Sequence, residues 1–105
     1  MLQPALLLML HMGPAHGYDL MERLKEVGLD GIDPSLIYRA LHALEAQELI
    51  RSSWDAKESQ GPPRRVYEIS AYGEEMLSQY ADELKASRQQ IERLLELYEK
   101  RDRNP

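Results

Sequence analysis

Two adjoining segments set the architecture of this chain: DPSLIYRALHALEAQEL at residues 33–49 and IRSSWDAKESQGPPRRVYEIS at residues 50–70. In the first, Asp33 is a favourable N-cap and Pro34 suits the first helical position, so a helix is predicted to begin there. Apolar residues spaced by four and then three predict its buried side: Ile37, Leu41 and Leu44. The opposite side carries four residues that can hydrogen-bond: Ser35, Tyr38, Arg39 and His42.

In the second segment the apolar period shortens to two, which is typical of strands. The two predicted strands flank residues 55–63, which are polar and contain Gly61-Pro62-Pro63. Adjacent prolines restrict the backbone, so the tip of this β-hairpin is expected to be semi-rigid and extended. We assign Trp54 and Tyr67 to a small core beneath the hairpin, and aromatics lining an effector pocket are the alternative.

Two further helices are predicted before these segments. Residues 3–12 are apolar almost all round, which is typical of a central core helix, and Gly13-Pro14 ends it. Residues 16–27 form the second helix, with Gly28 at the C-cap position. An inward stripe at helical spacing is expected on it: Leu20, Leu24 and Val27.

The C-terminal segment predicts one long helix from Ala71 to about Arg101, with Ser70 as its N-cap. Its apolar positions recur mostly every three or four residues: Met76, Leu77, Tyr80, Leu84, Ile91, Leu94, Leu95 and Tyr98. The core of a three-helix unit is too small to cover a stripe of this length. We therefore expect residues Leu77 to Tyr98 of the stripe to pack on a second chain.

The predicted fold is mainly α with a small β-hairpin, namely a winged helix-turn-helix plus a long C-terminal dimerisation helix. Residues 1–70 form the expected DNA-binding unit, and residues 71–105 form the expected dimerisation helix. The helix that begins at Pro34 would enter a DNA major groove while the hairpin holds the flanking backbone. The candidate DNA contacts are Tyr18, Ser35, Tyr38, Arg39, His42, Lys57, Arg64 and Arg65.

Composition limits the alternatives. A chain of 105 residues is one domain, and the absence of cysteine excludes disulfides and thiolate chemistry and favours the cytoplasm. The apolar start lacks the marks of a signal peptide and is too short to cross a bilayer. The net charge of −5 counts against non-specific binding of nucleic acid, although residues 51–65 hold four basic and two acidic side chains.

Several of these segments together resemble the PadR family of bacterial transcriptional regulators. The resemblance covers roughly residues 5–77. It is specific because the motifs occur in order and at these distances: HGYDLMERL at 16–24, DPSLIYRALHALEAQELI at 33–50, SSWD at 52–55, GPPRRVYEIS at 61–70 and YGEEML at 72–77.

The resemblance implies a homodimer of winged helices that binds a palindromic operator in double-stranded DNA, usually as a repressor. It resembles the shorter subfamily with a single C-terminal helix. Two positions depart from the family pattern: Asp33-Pro34-Ser35 lacks the glycine common before the helix, and Arg39 replaces a common proline. We expect Arg39 to pair with guanine and Ser35 to contact a phosphate.

Other functions are weighed against this one. The acidic charge leaves open a winged-helix protein-interaction module that does not bind DNA. A small aromatic effector at the dimer interface is a minority interpretation, and Tyr80 or Tyr98 would line such a pocket before Trp54. The three histidines lack metal-ligand spacing, and no cofactor, catalytic motif or membrane partner is expected.

Overall fold

The computed structural model describes residues 1–55 and 64–103. The elements in chain order are α1 (Leu2–His11), β1 (Ala15–His16), α2 (Gly17–Lys25), α3 (Pro34–Ala46), β2 (Ile50–Asp55), β3 (Arg64–Ile69) and α4 (Ala71–Arg103). The predicted mainly helical fold with a β-hairpin and a long C-terminal helix is confirmed. The hairpin tip, with Lys57 and Gly61-Pro62-Pro63, lies outside the described residues.

The sheet has three antiparallel strands in the order β1-β3-β2. In the hairpin, Ile50 lies opposite Ile69 and Asp55 lies opposite Arg64. The short strand β1 places Ala15 opposite Tyr67 and was not predicted, since two residues are too few to show a period. This strand ties the start of α2 to the middle of β3.

Helix α1 lies at the centre of the core, as its composition predicts. The largest fully buried side chains come from α1 itself and from the elements packed around it: Leu6, Leu7, Leu10, Leu20, Leu24, Leu41, Leu44, Leu49 and Ile50. Leu8 remains 40% exposed, which shows that one side of α1 is not covered by the rest of the core. The expectation of a helix buried on all sides is therefore wrong at Leu8.

The ends of α2 and α3 follow from local hydrogen bonds. Asp33 caps α3, since its side chain accepts a hydrogen bond of 2.9 Å from the backbone N–H of Ser35. After α2, Gly28 has a φ of 78° and the N–H of Leu29 donates to the Leu24 carbonyl. Val27 lies in this closing turn and is 48% exposed, so its assignment to the inward stripe is wrong.

Helix α4 begins at a packed junction and then leaves the core. The hydroxyl of Ser70 accepts a hydrogen bond of 3.0 Å from the N–H of Gly73, which confirms Ser70 as the cap. Met76, Leu77 and Tyr80 pack against the core. Beyond Ala81 the described side chains are exposed, and they include five apolar residues of the predicted stripe: Leu84, Ile91, Leu94, Leu95 and Tyr98.

Candidate nucleic-acid interface

A cleft of about 510 Å³ opens between the start of α2, the side of α3 and the outer half of β3. Four of the eight candidate DNA contacts border it, although they are far apart in sequence: Tyr18, Tyr38, Arg64 and Arg65. His16, Gly17 and Tyr67 complete its lining. The fold thus brings three phenols and two guanidinium groups to one concave surface.

Gly17 allows Tyr38 to take its place in this cleft. A Cβ atom at residue 17 would lie 2.7 Å from the Tyr38 hydroxyl oxygen and 2.8 Å from a ring carbon. The Tyr38 ring therefore lies directly over the glycine backbone at the start of α2, with 47% of its surface still exposed. Tyr18, one residue further along α2, is 67% exposed and free to reach a ligand at the rim.

His16 joins the outer half of the hairpin to α2. Its Nδ1 lies 3.3 Å from the carbonyl oxygen of Arg65, and its Nε2 lies 3.7 Å from the Asp55 carboxylate. Its backbone N–H donates to the Asp19 carboxylate at 3.4 Å as part of a capping box. Through these contacts His16 caps α2 and packs against the hairpin.

Arg65 of β3 is held by two side chains of β2. Its Nη1 donates to Ser52 Oγ at 2.6 Å, and its guanidinium carbon lies 4.7 Å from the centroid of the Trp54 ring. The Ser52 hydroxyl and backbone N–H in turn donate to Glu45 Oε1 at 2.5 and 3.1 Å. Trp54 itself is 62% exposed, so its assignment to the core beneath the hairpin is wrong, whereas Tyr67 is buried as expected.

Sequence reasoning missed Glu45 and Ser52 as members of this network. Glu45 lies at the edge of α3 between its buried and solvent sides, where periodicity assigns no role. The strand alternation does place Ser52 on the same side as Trp54, Arg65 and Tyr67. This shared side is the sequence feature that could have linked Ser52 to Arg65.

Burial raises the pKa of the Tyr67 hydroxyl, and the nearby positive charge of Arg65 partly opposes this shift. The phenol therefore stays protonated at neutral pH. It lies at the floor of the cleft, where an O–H group donates a hydrogen bond and carries no negative charge to repel an anion.

The other candidate contacts on α3 do not line this cleft. Ser35, Arg39 and His42 are all exposed, as predicted. Arg39 borders a second groove of about 740 Å³, which α3 forms with the start of α1 and with α4. The solvent side of α3 is therefore divided, with Tyr38 next to the hairpin and Arg39 next to α4.

A third groove, of about 580 Å³, runs between α1, the end of α2 and α4. Its apolar lining includes the exposed residues Leu8, Val27 and Leu84, together with Leu77. At one end, His11 Nδ1 lies 2.7 Å from the Glu74 carboxylate and links α1 to α4. This groove is continuous through Leu84 with the exposed apolar stripe of α4.

Within residues 1–55 and 64–103, no cluster of three or more histidine or carboxylate side chains could hold a metal ion. None of the helices in that same part of the chain is both long and apolar enough to cross a membrane.

Three core helices, a β-hairpin on a small antiparallel sheet and a cleft beside the third helix define a winged-helix protein. The model of the Transcriptional regulator PadR-like family matches residues 6–79. The chain therefore belongs to this family of transcriptional regulators. A search of curated proteins found no match.

Solved structures share the fold over nearly the whole chain. A conserved protein of unknown function, described as a potential transcriptional factor, is 33% identical with a TM-score of 0.81, covering 94% of this chain and 88% of its own. A PadR-like transcription factor from Bacteroides fragilis is 29% identical with a TM-score of 0.75, covering 90% and 89%. A PadR-like regulator from Bacillus cereus is 26% identical with a TM-score of 0.78, covering 90% of each chain.

Proposed function

We propose that this protein is a sequence-specific, DNA-binding transcriptional repressor that acts as a homodimer in the cytoplasm. The observation that carries the proposal is the cleft beside α3, where Tyr18, Tyr38, Arg64 and Arg65 converge. Phosphate contacts position a protein on DNA, and arginine and tyrosine are among the side chains that make them. Membership of a family of transcriptional regulators supports the same conclusion.

In this proposal α3 enters the major groove and the hairpin grips the flanking backbone. Arg39 reads guanine through its two-pronged guanidinium, and Ser35 at the helix start contacts a phosphate. Tyr38 and His42 complete the contacts of α3, and the hairpin adds Arg64, Arg65 and Lys57. The acidic body keeps non-specific binding weak, so specificity depends on base contacts and DNA shape.

The dimer forms through α4 in this proposal. Its predicted contacts are Leu77, Tyr80, Leu84, Ile91, Leu94, Leu95 and Tyr98. The last four are each more than half exposed in the single chain, which is unfavourable for an apolar stripe in water. Residues 1–70 are then the DNA-binding unit, and residues 71–105 are the dimerisation unit.

A two-fold dimer presents two copies of α3 to half-sites about one helical turn apart, hence a palindromic operator. A small aromatic effector bound at the dimer interface would alter the angle between subunits and release the operator. The apolar groove between α1 and α4 supports this route, because its volume of about 580 Å³ suits a small molecule.

DNA binding is tested by fluorescence anisotropy of a labelled duplex from upstream of the protein's own gene, with a scrambled duplex as control. The expected result is tighter binding to the first duplex. The double substitution Arg39→Ala and Arg64→Ala should abolish that preference and leave the dimer intact. A matched control is Arg51→Ala, since Arg51 pairs with Glu68 at 3.6 Å near the base of the hairpin and does not line the cleft.

The net charge of −5 favours one competing function, a protein-interaction module with a winged-helix fold. Such a module would bind neither duplex, even at low salt, where non-specific contacts are strongest. That outcome would refute the repressor proposal.

The dimer is tested with Ile91→Glu, which places a charge in the proposed interface. We expect a monomer by analytical ultracentrifugation at micromolar concentration and, with it, loss of operator binding. Gln90→Glu adds the same charge beside the stripe and should remain dimeric. A dimeric Ile91→Glu protein with normal DNA binding would show that α4 is not the interface.

A further inference from the structure

Trp54 occupies an unusual place for the single tryptophan of the chain. It lies at the outer end of β2, and 62% of its surface is exposed. Burying a large aromatic side chain contributes substantially to stability, and this residue forgoes most of that gain. Its position therefore points to a role on the surface.

Arg65 lies directly opposite Trp54 in the hairpin register, with its guanidinium over the indole ring at 4.7 Å. A cation stacked in this way has fewer rotamers open to it. The hydrogen bond of 2.6 Å to Ser52 Oγ fixes the guanidinium further. The positive charge of Arg65 is therefore already fixed, before DNA binds, on the side of the hairpin that borders the cleft.

Glu45 connects this pair to α3. Its Oε1 accepts two hydrogen bonds from Ser52, one from the hydroxyl and one from the backbone N–H. A continuous chain of contacts thus runs from the last turns of α3 through β2 to Arg65. Since Glu45 lies on α3 and Arg65 on the hairpin, these linked contacts set the distance between the helix and the hairpin.

We propose that Trp54 and Arg65 together form a contact with the backbone of duplex DNA, and that Glu45 is a positioning residue that holds this contact in register with α3. The proposal rests on the proposed DNA-binding function. The occupant is inferred from continuity and charge: Arg65 lines the same cleft as Arg64, Tyr18 and Tyr38. The indole contributes an N–H donor and an apolar face that suits a deoxyribose.

Fixing these side chains before binding has a physical advantage. Arginine has many rotamers, and fixing its side chain in a complex costs conformational entropy. A side chain ordered in the free protein no longer bears that loss on association, so more of the contact energy appears as affinity. Removal of Glu45 should therefore weaken DNA binding without removing any atom that touches DNA.

Trp54 allows a direct test in the wild-type protein, because its fluorescence reports on one position alone. The unlabelled protein is titrated with the upstream duplex and the scrambled duplex at low salt, while anisotropy of labelled duplex follows binding in parallel. We expect tryptophan emission to change along the same isotherm as anisotropy. We also expect quenching by acrylamide to fall in the complex.

Substitutions then separate contact from positioning. Trp54→Ala should raise the Kd for the upstream duplex about five- to tenfold, because it removes both the proposed sugar contact and the ring that orders Arg65. Arg65→Ala should raise the Kd similarly and lower the salt slope by about one. Glu45→Ala should raise the Kd about threefold, and the double substitution Glu45→Ala and Arg65→Ala should be no weaker than Arg65→Ala alone.

Glu68→Ala is the matched control for Glu45→Ala. Glu68 lies on β3 with Arg65, but its carboxylate is on the opposite face of that strand. Additive effects of Glu45 and Arg65 would overturn the positioning role. Binding by anisotropy with no change at Trp54 would overturn the contact and leave the repressor proposal standing. No binding of either duplex at low salt would refute the repressor proposal and this inference together.

Discussion

Gly73 provides a sharp test of how α4 joins the core, because two physical effects oppose each other there. It lies buried in the first turn of α4. In an exposed helix, replacing glycine by alanine stabilises by roughly 1 kcal/mol. Here a Cβ atom would overlap the carbonyl oxygen of Leu49 and lie 2.7 Å from a side-chain carbon of Ile69.

The Leu49 carbonyl has little freedom to move away. It accepts a hydrogen bond of 3.0 Å from the Ser70 N–H, and the Ser70 hydroxyl lies at the same distance. Overpacking costs about 1–3 kcal/mol and occasionally more, and contact with fixed backbone belongs at the upper end. Subtracting the helix gain leaves Gly73→Ala destabilised by about 2 kcal/mol, which lowers the Tm on the order of 10 °C.

The assay is thermal and urea unfolding followed by far-ultraviolet circular dichroism at one fixed protein concentration, since a dimer's Tm depends on concentration. Gly17→Ala is the control, because its Cβ meets only the outer part of the Tyr38 side chain, which is half exposed. That variant should stay within about 0.5 kcal/mol of the wild type. A Gly73→Ala protein of equal or higher stability would refute the reasoning.

Two further predictions concern the helix ends. Arg23 Nη1 donates to the carbonyl oxygens of Met9 and Gly13 at 3.2 Å each, so Arg23→Met should destabilise by roughly 1–3 kcal/mol in urea unfolding, and an unchanged midpoint would contradict it. The hydrogen bond from the Ser35 N–H lowers the pKa of Asp33 from its ordinary value of 3.8. Its carboxylate therefore stabilises the fold above that value and ceases to do so as pH falls through the lowered pKa. The wild type should exceed Asp33→Asn in unfolding free energy at pH 7, and this difference should vanish in strong acid; a difference independent of pH would contradict the assignment.

The elements of the fold could be predicted from the sequence because their signals are local. Asp33 and Pro34 mark the start of α3 through a hydrogen bond and a backbone angle that involve only neighbouring residues. The change of the hydrophobic period to two after Leu49 predicts the hairpin, and Ser70 caps α4 within its first turn. The candidate contacts on α3 were also visible, since helical periodicity alone places Ser35, Tyr38, Arg39 and His42 outside the core.

Only the tertiary structure decided which of these side chains share a surface. The cleft unites Tyr18 with Arg65 because β1 pairs with β3 and draws the start of α2 to the hairpin, and a two-residue strand leaves no period to read. Trp54 looked like a core residue because large aromatic side chains are often buried, yet it lies near the outer end of β2 and is exposed. The link from Glu45 to Arg65 depends on the angle between α3 and the hairpin. Sequence periodicity determines the side of an element on which a residue lies, whereas contacts between elements follow from their packing in three dimensions.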